Sequence, residues 1–218
     1  MVCRLREPIS GLTHFCGAVG AIFGLVMLLI LGHDSLTKAV SLMIYGVSLI
    51  LMFSASSAYH LIPASPKWLQ VLRKIDHSAI FLLIAGSYTP LCLNYFTGFW
   101  KWGLMAIVWS MAVAGIITKL FIINAPRWVS AGLYLAMGWL AAIAIPEMVA
   151  SMPINALYGL LAGGMSFTLG AVVYVTKKPD FFPGFFGFHE IWHVFVILGC
   201  AFHFAVIAIY VAPKIMAN

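Results

Sequence analysis

The chain carries the long apolar stretch ISGLTHFCGAVGAIFGLVMLLILG at residues 9–32. A helix that crosses a bilayer needs about 20 predominantly apolar residues, and this stretch supplies them. A basic N-terminus precedes it, as in a secretory signal peptide, but the apolar part of a signal peptide has only about 7–15 residues. We therefore predict that this stretch is a retained membrane span.

The rest of the chain has the same character. Of its 218 residues, 63% are hydrophobic and 8% are charged, and the mean hydropathy is +1.05. Soluble domains average about 25% charged residues. The composition therefore predicts an integral membrane protein and leaves no room for a sizeable soluble domain.

Seven apolar segments, each about as long as one membrane span, are separated by short polar or turn-forming loops. They lie at about 9–32, 39–61, 76–95, 103–123, 128–149, 155–176 and 188–211. This pattern predicts an all-α integral membrane protein, a seven-transmembrane helix bundle that forms one domain over residues 1–218.

The basic residues predict the orientation of the bundle, because Lys and Arg concentrate in cytoplasmic loops. Nine of the twelve fall on the side of the N-terminus and three on the other side: Arg4, Arg6, Lys67, Arg73, Lys74, Lys119, Arg127, Lys177 and Lys178 against Lys38, Lys101 and Lys214. The N-terminus is therefore predicted to be cytoplasmic and the C-terminus outside. This asymmetry also explains the net charge of +6 without a nucleic-acid partner.

The cysteines do not indicate a disulfide framework or a zinc ribbon. None of the four forms a Cys-x-x-Cys pair, and Cys16, Cys92 and Cys200 lie in or near apolar segments. A free cysteine in such a place behaves as a small apolar residue. We expect them to be packing residues.

Two pairs of polar residues stand within the apolar segments, each with i, i+4 spacing. Ser56 and His60 end the second span, and His189 and His193 begin the seventh. Residues four apart share one helical face, with Cβ atoms roughly 5–6 Å apart. With seven spans, these histidines and Asp76, at the start of the third span, lie within about two turns of the cytoplasmic face. Three imidazoles brought together make a metal site with a fourth position open for chemistry.

Other polar residues near the span ends need not belong to this set, because such a residue often only extends its polar group to the lipid headgroups. His14 lies at a suitable depth and is a reserve ligand. His203 lies about 15 Å deeper than His193 and is expected to hydrogen-bond within the bundle. Glu190 lies off the ligand face and is predicted to be exposed, and Lys119 to mark the headgroup level.

Together these motifs resemble the PAQR and hemolysin III family, which includes the adiponectin receptors and small bacterial membrane-homeostasis proteins. The resemblance covers essentially the whole chain, and the length and span count fit the bacterial branch, whose members are multi-pass proteins of the bacterial inner (plasma) membrane. Its local matches are Tyr59-His60-Leu61, Asp76-His77-Ser78-Ala79-Ile80, IAGSYTP at residues 84–90 and FHEIWH at residues 188–193.

The resemblance implies an inner-leaflet zinc ion (Zn2+) held by His60, His189 and His193. It also implies that Asp76 holds a water molecule on the metal and that Ser56 lies beside this group. The family is related to alkaline ceramidases, which hydrolyse an amide bond in a lipid with a similar site. A membrane lipid is therefore the expected substrate as well as the expected surroundings of this chain.

Two interpretations of this set remain open. In the first, the chain is a zinc-dependent hydrolase of a lipid amide or ester, in which Asp76 takes a proton from water and Ser56 stabilises a developing oxyanion. Asp76 could equally orient a ligand imidazole.

In the second interpretation, the chain is a non-enzymatic sensor, regulator or pore with a structural zinc. That zinc would need a fourth protein ligand, Asp76 or His14. The sequence leaves the oligomeric state and the identity of the metal open.

Overall fold

The computed structural model describes residues 5–182 and 185–213, and this part of the chain is almost entirely helical. Its α-helices are α1 (Pro8–Leu31), α2 (Leu36–Leu61), α3 (Pro66–Asn94), α4 (Gly98–Phe121), α5 (Arg127–Trp139), α6 (Ile145–Ser151), α7 (Ile154–Thr176) and α8 (Phe188–Val206). The predicted all-α class is confirmed. Arg4 and Lys214, used above, and the fourth cysteine, Cys3, lie outside the described residues.

Six helical stretches of the described chain are long and apolar enough to cross a membrane. They are Pro8–Leu31, Leu36–Leu61, Gly98–Phe121, Arg127–Ser151, Ile154–Thr176 and Phe188–Val211. Helix α3 has 29 residues but a less apolar sequence, and it packs against both α2 and α4. An inner helix of this kind exposes less surface to lipid and tolerates more polar residues.

Helix α3 begins earlier than the third predicted span. The span was predicted to start at Asp76, whereas the helix starts at Pro66, a residue favoured in the first turn of a helix. The first ten residues of α3 include Lys67, Arg73 and Lys74, which kept this segment out of the apolar pattern. Asp76 therefore lies about 15 Å along the helix rather than at its end.

The fifth predicted span, residues 128–149, is not one continuous helix. Helix α5 ends at Trp139, and a 3₁₀ turn over Leu140–Ala144 leads into α6, where Pro146 cannot donate a backbone hydrogen bond. The Tyr88 hydroxyl compensates for this break. It donates towards the carbonyl oxygens of Met137 and Gly138 at 3.0 and 2.6 Å and accepts the amide of Ala141 at 2.8 Å. Irregular backbone at membrane depth needs such partners.

Consecutive helices pack against one another, and α8 also returns to pack on α1. Two glycines allow close approach, because a Cβ at Gly86 would collide with Ser48 and one at Gly163 with the ring of His203. Small residues at such contacts are typical of membrane helix pairs. The return of α8 places the start of α1, the end of α2 and the start of α8 side by side.

Candidate metal centre

Three histidines converge where α2 ends and α8 begins. His60 and His193 are 2% and 1% exposed, and one ring nitrogen from each of His60, His189 and His193 lies within 4.8 Å of the others. The Nε2 atoms of His60 and His189 are 3.5 Å apart. A tetrahedral metal ion with metal–nitrogen bonds of about 2.0–2.1 Å holds its ligand nitrogens at about this spacing. The arrangement fits a metal ion.

Glu7, just before α1, fixes the ring of His60. Its Oε2 atom accepts a hydrogen bond from His60 Nδ1 at 2.5 Å, and its backbone amide donates to the His60 carbonyl at 3.0 Å. The hydrogen bond from His60 is the main reason why the pKa of Glu7 is lowered, and the charge of Arg6 contributes to this shift. With the proton on Nδ1, Nε2 of His60 carries the lone pair and faces His189.

The Ser10 backbone lies near the buried His193 ring, but it does not meet hydrogen-bond geometry. Neither ring nitrogen of His193 makes a hydrogen bond to a described residue, and the same is true of His14. Buried polar atoms are almost always hydrogen-bonded. Imidazole nitrogens that lack a hydrogen bond and lie close to two other imidazoles therefore indicate a binding site for a ligand such as a metal ion. The His14 ring stacks on that of His193, with centroids 3.8 Å apart and planes 23° from parallel. Nitrogen lone pairs lie in the ring plane, so those of two stacked rings cannot converge on one metal ion between them. His14 therefore packs against the ring face of His193 and is not part of the group of three.

Asp76 and Ser56 lie beside the three histidines rather than among them. Asp76 is 7% exposed, the Ser56 hydroxyl lies beside its carboxylate, and His60 lies within electrostatic range. The described group with converging nitrogens contains the three histidines and no carboxylate. This arrangement does not place Asp76 as a fourth ligand.

A cavity of about 410 Å³ ends at this polar group. Its lining includes Ser56, Asp76 and Trp192 near the histidines, and its other lining residues are mostly apolar. Along α3 it extends from Asp76 to Leu91, fifteen residues or about 22 Å, more than half the roughly 30 Å hydrocarbon core of a bilayer. Lining residues Tyr158 and Leu161 of α7 are also exposed, so the cavity opens at the surface of the bundle.

Comparison with known proteins agrees with this architecture. The family model described as "Haemolysin-III related" matches residues 3–204. The chain belongs to this family. It is 36% identical to Hemolysin-3 of Bacillus cereus over 210 residues, which cover 95% of this chain and 93% of that relative.

More distant relatives extend the comparison to animals. The chain is 29% identical to the human Monocyte to macrophage differentiation factor over 200 residues, 88% of this chain and 79% of that protein. It is 25% identical to Progestin and adipoQ receptor-like protein 1 of Caenorhabditis elegans over 214 residues, 88% of this chain and 49% of that protein. The resemblance to the PAQR and hemolysin III family is therefore confirmed.

The predicted multi-pass membrane location is confirmed as well. Membership in the haemolysin-III-related family and six apolar helices make this a multi-pass membrane protein, and its bacterial relatives indicate the plasma membrane. Its outer surface agrees, because Phe23, Ile30 and Phe121 are exposed on the bundle whereas Ser41 and Thr89 are buried.

One prediction about a neighbouring residue of this haemolysin-III-related protein is wrong. Glu190 is not a free surface carboxylate, because Oε1 accepts the Ser10 hydroxyl at 2.7 Å and Oε2 the Gly187 amide at 2.9 Å. It closes the first turn of α8 and holds α1 against it. Lys119 lies in the last turn of α4 and is 2% exposed, and its position at the headgroup level stays a prediction. His203 behaves as expected, since its Nε2 lies 3.2 Å from the Leu160 carbonyl oxygen.

The sequence reasoning missed Glu7. The sequence does show an acidic residue directly before the first span, on the side of the membrane where the histidine group is predicted. Nothing in the spacing connected Glu7 to His60, fifty-three residues away. Only the packing of α1 between α2 and α8 brings them together.

Proposed function

We propose that this protein is a metal-dependent hydrolase that cleaves an amide or ester bond of a membrane lipid and so serves membrane homeostasis. One observation carries the proposal: three histidines with converging nitrogens lie beside Asp76 and Ser56, which line the polar end of a long apolar cavity. A lipid chain fits the apolar length, and the bond to be cleaved would then lie beside the polar residues.

Zinc is the proposed metal, because imidazole ligands suit it and three protein ligands are typical of catalytic zinc sites. His60, His189 and His193 would hold it through one nitrogen each. When bound, zinc supplies Lewis-acid chemistry that lowers the pKa of water to about 7.

The other residues of the site have separate proposed roles. Asp76 accepts a proton from the attacking water and holds that water towards the substrate, as a general base does. Ser56 donates a hydrogen bond to the oxygen that gains negative charge. Glu7 keeps the proton of His60 on Nδ1 and the ring in place. The apolar walls exclude bulk water from the reacting bond.

The proposed orientation places this chemistry at the inner leaflet. All seven helical segments, including α3, are proposed to cross the membrane, with the N-terminus in the cytoplasm. The nine-to-three distribution of Lys and Arg supports this orientation. His60 then lies at the cytoplasmic end of α2 and His189 at the cytoplasmic start of α8.

A second candidate is a non-enzymatic membrane sensor, regulator or pore in which the metal is a structural clamp. The observation that favours a clamp is that the histidines join α2 to α8 while Glu7 and Glu190 join both regions to α1. The name Hemolysin-3 of a relative suggests a pore. The apolar lining of the cavity argues against an ion-conducting path.

The Asp76→Asn variant separates these candidates. In the hydrolase, three imidazoles still hold the metal, but an amide cannot take up the proton, so activity should fall by about 10²–10⁴-fold with metal content retained. In a clamp with Asp76 as a ligand, metal content and thermal stability should fall together. The assay offers ceramide-like amides and glycerolipid esters to purified protein in detergent and measures bound metal in parallel.

The matched control is Glu147→Gln, which changes a carboxylate of α6 that accepts exposed hydrogen bonds from Thr97. It should leave lipid hydrolysis and metal content close to wild type. Equal hydrolysis by wild type and Asp76→Asn, or no hydrolysis of any lipid class by metal-loaded wild type, would favour the non-enzymatic candidate.

A further inference from the structure

Lys119, near the end of α4, is a buried cation without an acidic partner. Two described lysines are buried, Lys38 at 7% exposure and Lys119 at 2%. The Lys38 ammonium lies 3.0 Å from the Asp34 carboxylate. Lys119 Nζ instead donates to the Ser130 hydroxyl at 2.5 Å, and no described carboxylate forms an ion pair with it. A buried charge left without a counter-charge is strongly unfavourable, so we expect an anion to bind beside it.

The surroundings of Lys119 add positive charge. Arg73 donates to the Asn124 side-chain oxygen at 3.3 Å, and Lys74 donates to the Leu120 carbonyl at 2.5 Å. Both acceptors are neutral, and Arg73 lies within electrostatic range of Lys119. This end of the bundle therefore presents cations that are hydrogen-bonded to neutral groups, which favours the binding of an anion.

Lys119 reaches the large cavity through Ser130. Ser130 and His77 both line that cavity, which also contains Asp76 in its wall. The Ser130 oxygen accepts a hydrogen bond from Lys119, so the Ser130 hydroxyl can still donate its own proton to another group. No acceptor for that proton is found among the described residues. His77 Nδ1 is also buried without a described partner. On the wall of the cavity, the Ser130 hydroxyl thus has a proton without a described acceptor, and His77 Nδ1 has no described partner.

We propose that Lys119, Ser130 and His77 form a subsite for the phosphate group of an anionic lipid whose chains occupy the cavity. A phosphate offers several acceptor oxygens and a full negative charge, and lysine binds it as a point charge. The inner leaflet, where the proposed orientation places this end, is rich in anionic lipids. The inference rests on the proposal that a lipid occupies the cavity, but it does not require that the lipid is hydrolysed.

Binding of lipids that the protein cannot hydrolyse tests the subsite. Purified protein in detergent is mixed with a dialkyl ether phosphatidic acid or the matching dialkyl ether glycerol, and retained lipid is counted by native mass spectrometry. We expect wild type to prefer the phosphatidic acid. Lys119→Met should weaken phosphatidic acid binding by about tenfold or more, because it removes the positive charge that lies behind Ser130 and attracts the phosphate. It should leave binding of the neutral glycerol unchanged.

Lys74→Met is the matched control, because it removes a neighbouring lysine that is bonded to a backbone carbonyl rather than to a residue of the cavity lining. It removes only a more distant positive charge, so it should weaken phosphatidic acid binding much less than Lys119→Met does. Thermal unfolding provides a second readout. If Lys119 serves an anion, replacing its unpaired buried charge with methionine should leave the unfolding midpoint unchanged or raise it. A lower midpoint with unchanged lipid preference would show that Lys119 only holds α4 to α5, and would overturn the proposal.

Competition with inorganic phosphate tests whether the subsite binds free phosphate or only the phosphate group of a lipid. If millimolar phosphate displaces the phosphatidic acid from wild type, and binds less well to Lys119→Met, the subsite recognises phosphate itself. If only the lipid shows Lys119-dependent binding, the headgroup is recognised together with its chains. Ser130→Ala, a small change, should weaken binding in the same direction, and it replaces Lys119→Met if that variant does not fold. Equal binding of both lipids by wild type and variants refutes the subsite but leaves the lipid cavity, whereas binding of neither lipid refutes both.

Discussion

Replacing Glu7 with glutamine tests the carboxylate that holds His60. The change keeps the length of the side chain but removes the negative charge that His60 Nδ1 meets at 2.5 Å. We expect zinc to bind more weakly, because a metal-bound imidazole is oriented and made more basic by a carboxylate on its other nitrogen. The three ligand nitrogens themselves are unchanged.

The size of the effect follows from the exposure of Glu7. Loss of such a partner typically costs about 10–100-fold in metal affinity. The Glu7 side chain is 43% exposed, so water screens its charge, and a glutamine oxygen can still accept the Nδ1 proton. We therefore expect the lower end of the range, about tenfold, which corresponds to about 1.4 kcal/mol of binding free energy.

The assay is competition between the detergent-solubilised protein and a chromogenic zinc chelator of known affinity. Glu190→Gln is the matched control, because that carboxylate lies nearby and accepts hydrogen bonds from Ser10 and Gly187 but not from an imidazole. It should change zinc affinity much less than Glu7→Gln. The reasoning is refuted if Glu7→Gln binds zinc as tightly as wild type, or if the two variants lose affinity equally.

Three other predictions use the same preparation or whole cells. Purified protein should carry about one zinc per chain. The His189→Ala, His193→Ala double variant should lose this zinc, whereas His203→Ala should retain it. Undiminished zinc in the double variant would contradict the proposed metal site. Reporters fused after the C-terminus and within the α2–α3 loop should report opposite sides of the membrane, and the same side for both would contradict seven spans. Tyr88→Phe should lower the free energy of unfolding by about 1–3 kcal/mol, because backbone groups at the break after α5 lose their partner. Tyr158→Phe, at an exposed position, should have little effect in the same unfolding measurement.

The sequence predicted those parts of the fold that depend on local composition. An apolar run of the required length forms a membrane helix wherever it occurs, so six of the seven predicted spans coincide with apolar helical stretches to within a few residues. The prediction was less accurate where tertiary contacts override composition. The charged start of α3 was left out, and the break after Trp139 was missed because Tyr88, from another helix, makes it possible.

The candidate site was predictable to a similar degree. The i, i+4 spacing of His189 and His193 defines one face of one helix, and topology places His60 at the same depth, so the group of three could be inferred from the sequence. The roles of Asp76 and Ser56 remain predictions, although the structure places both in the wall of the cavity.

By itself, the sequence determined that this is a helical membrane protein with a histidine group at one end, because hydropathy and helical periodicity are properties of neighbouring residues. Only the tertiary structure decided that Glu7 bonds to His60, that His14 stacks on His193, and that Lys119 is buried beside a cavity without an acidic partner. These contacts depend on how the helices are rotated and placed against one another. Side-chain packing between distant segments fixes that arrangement, and no local pattern encodes it.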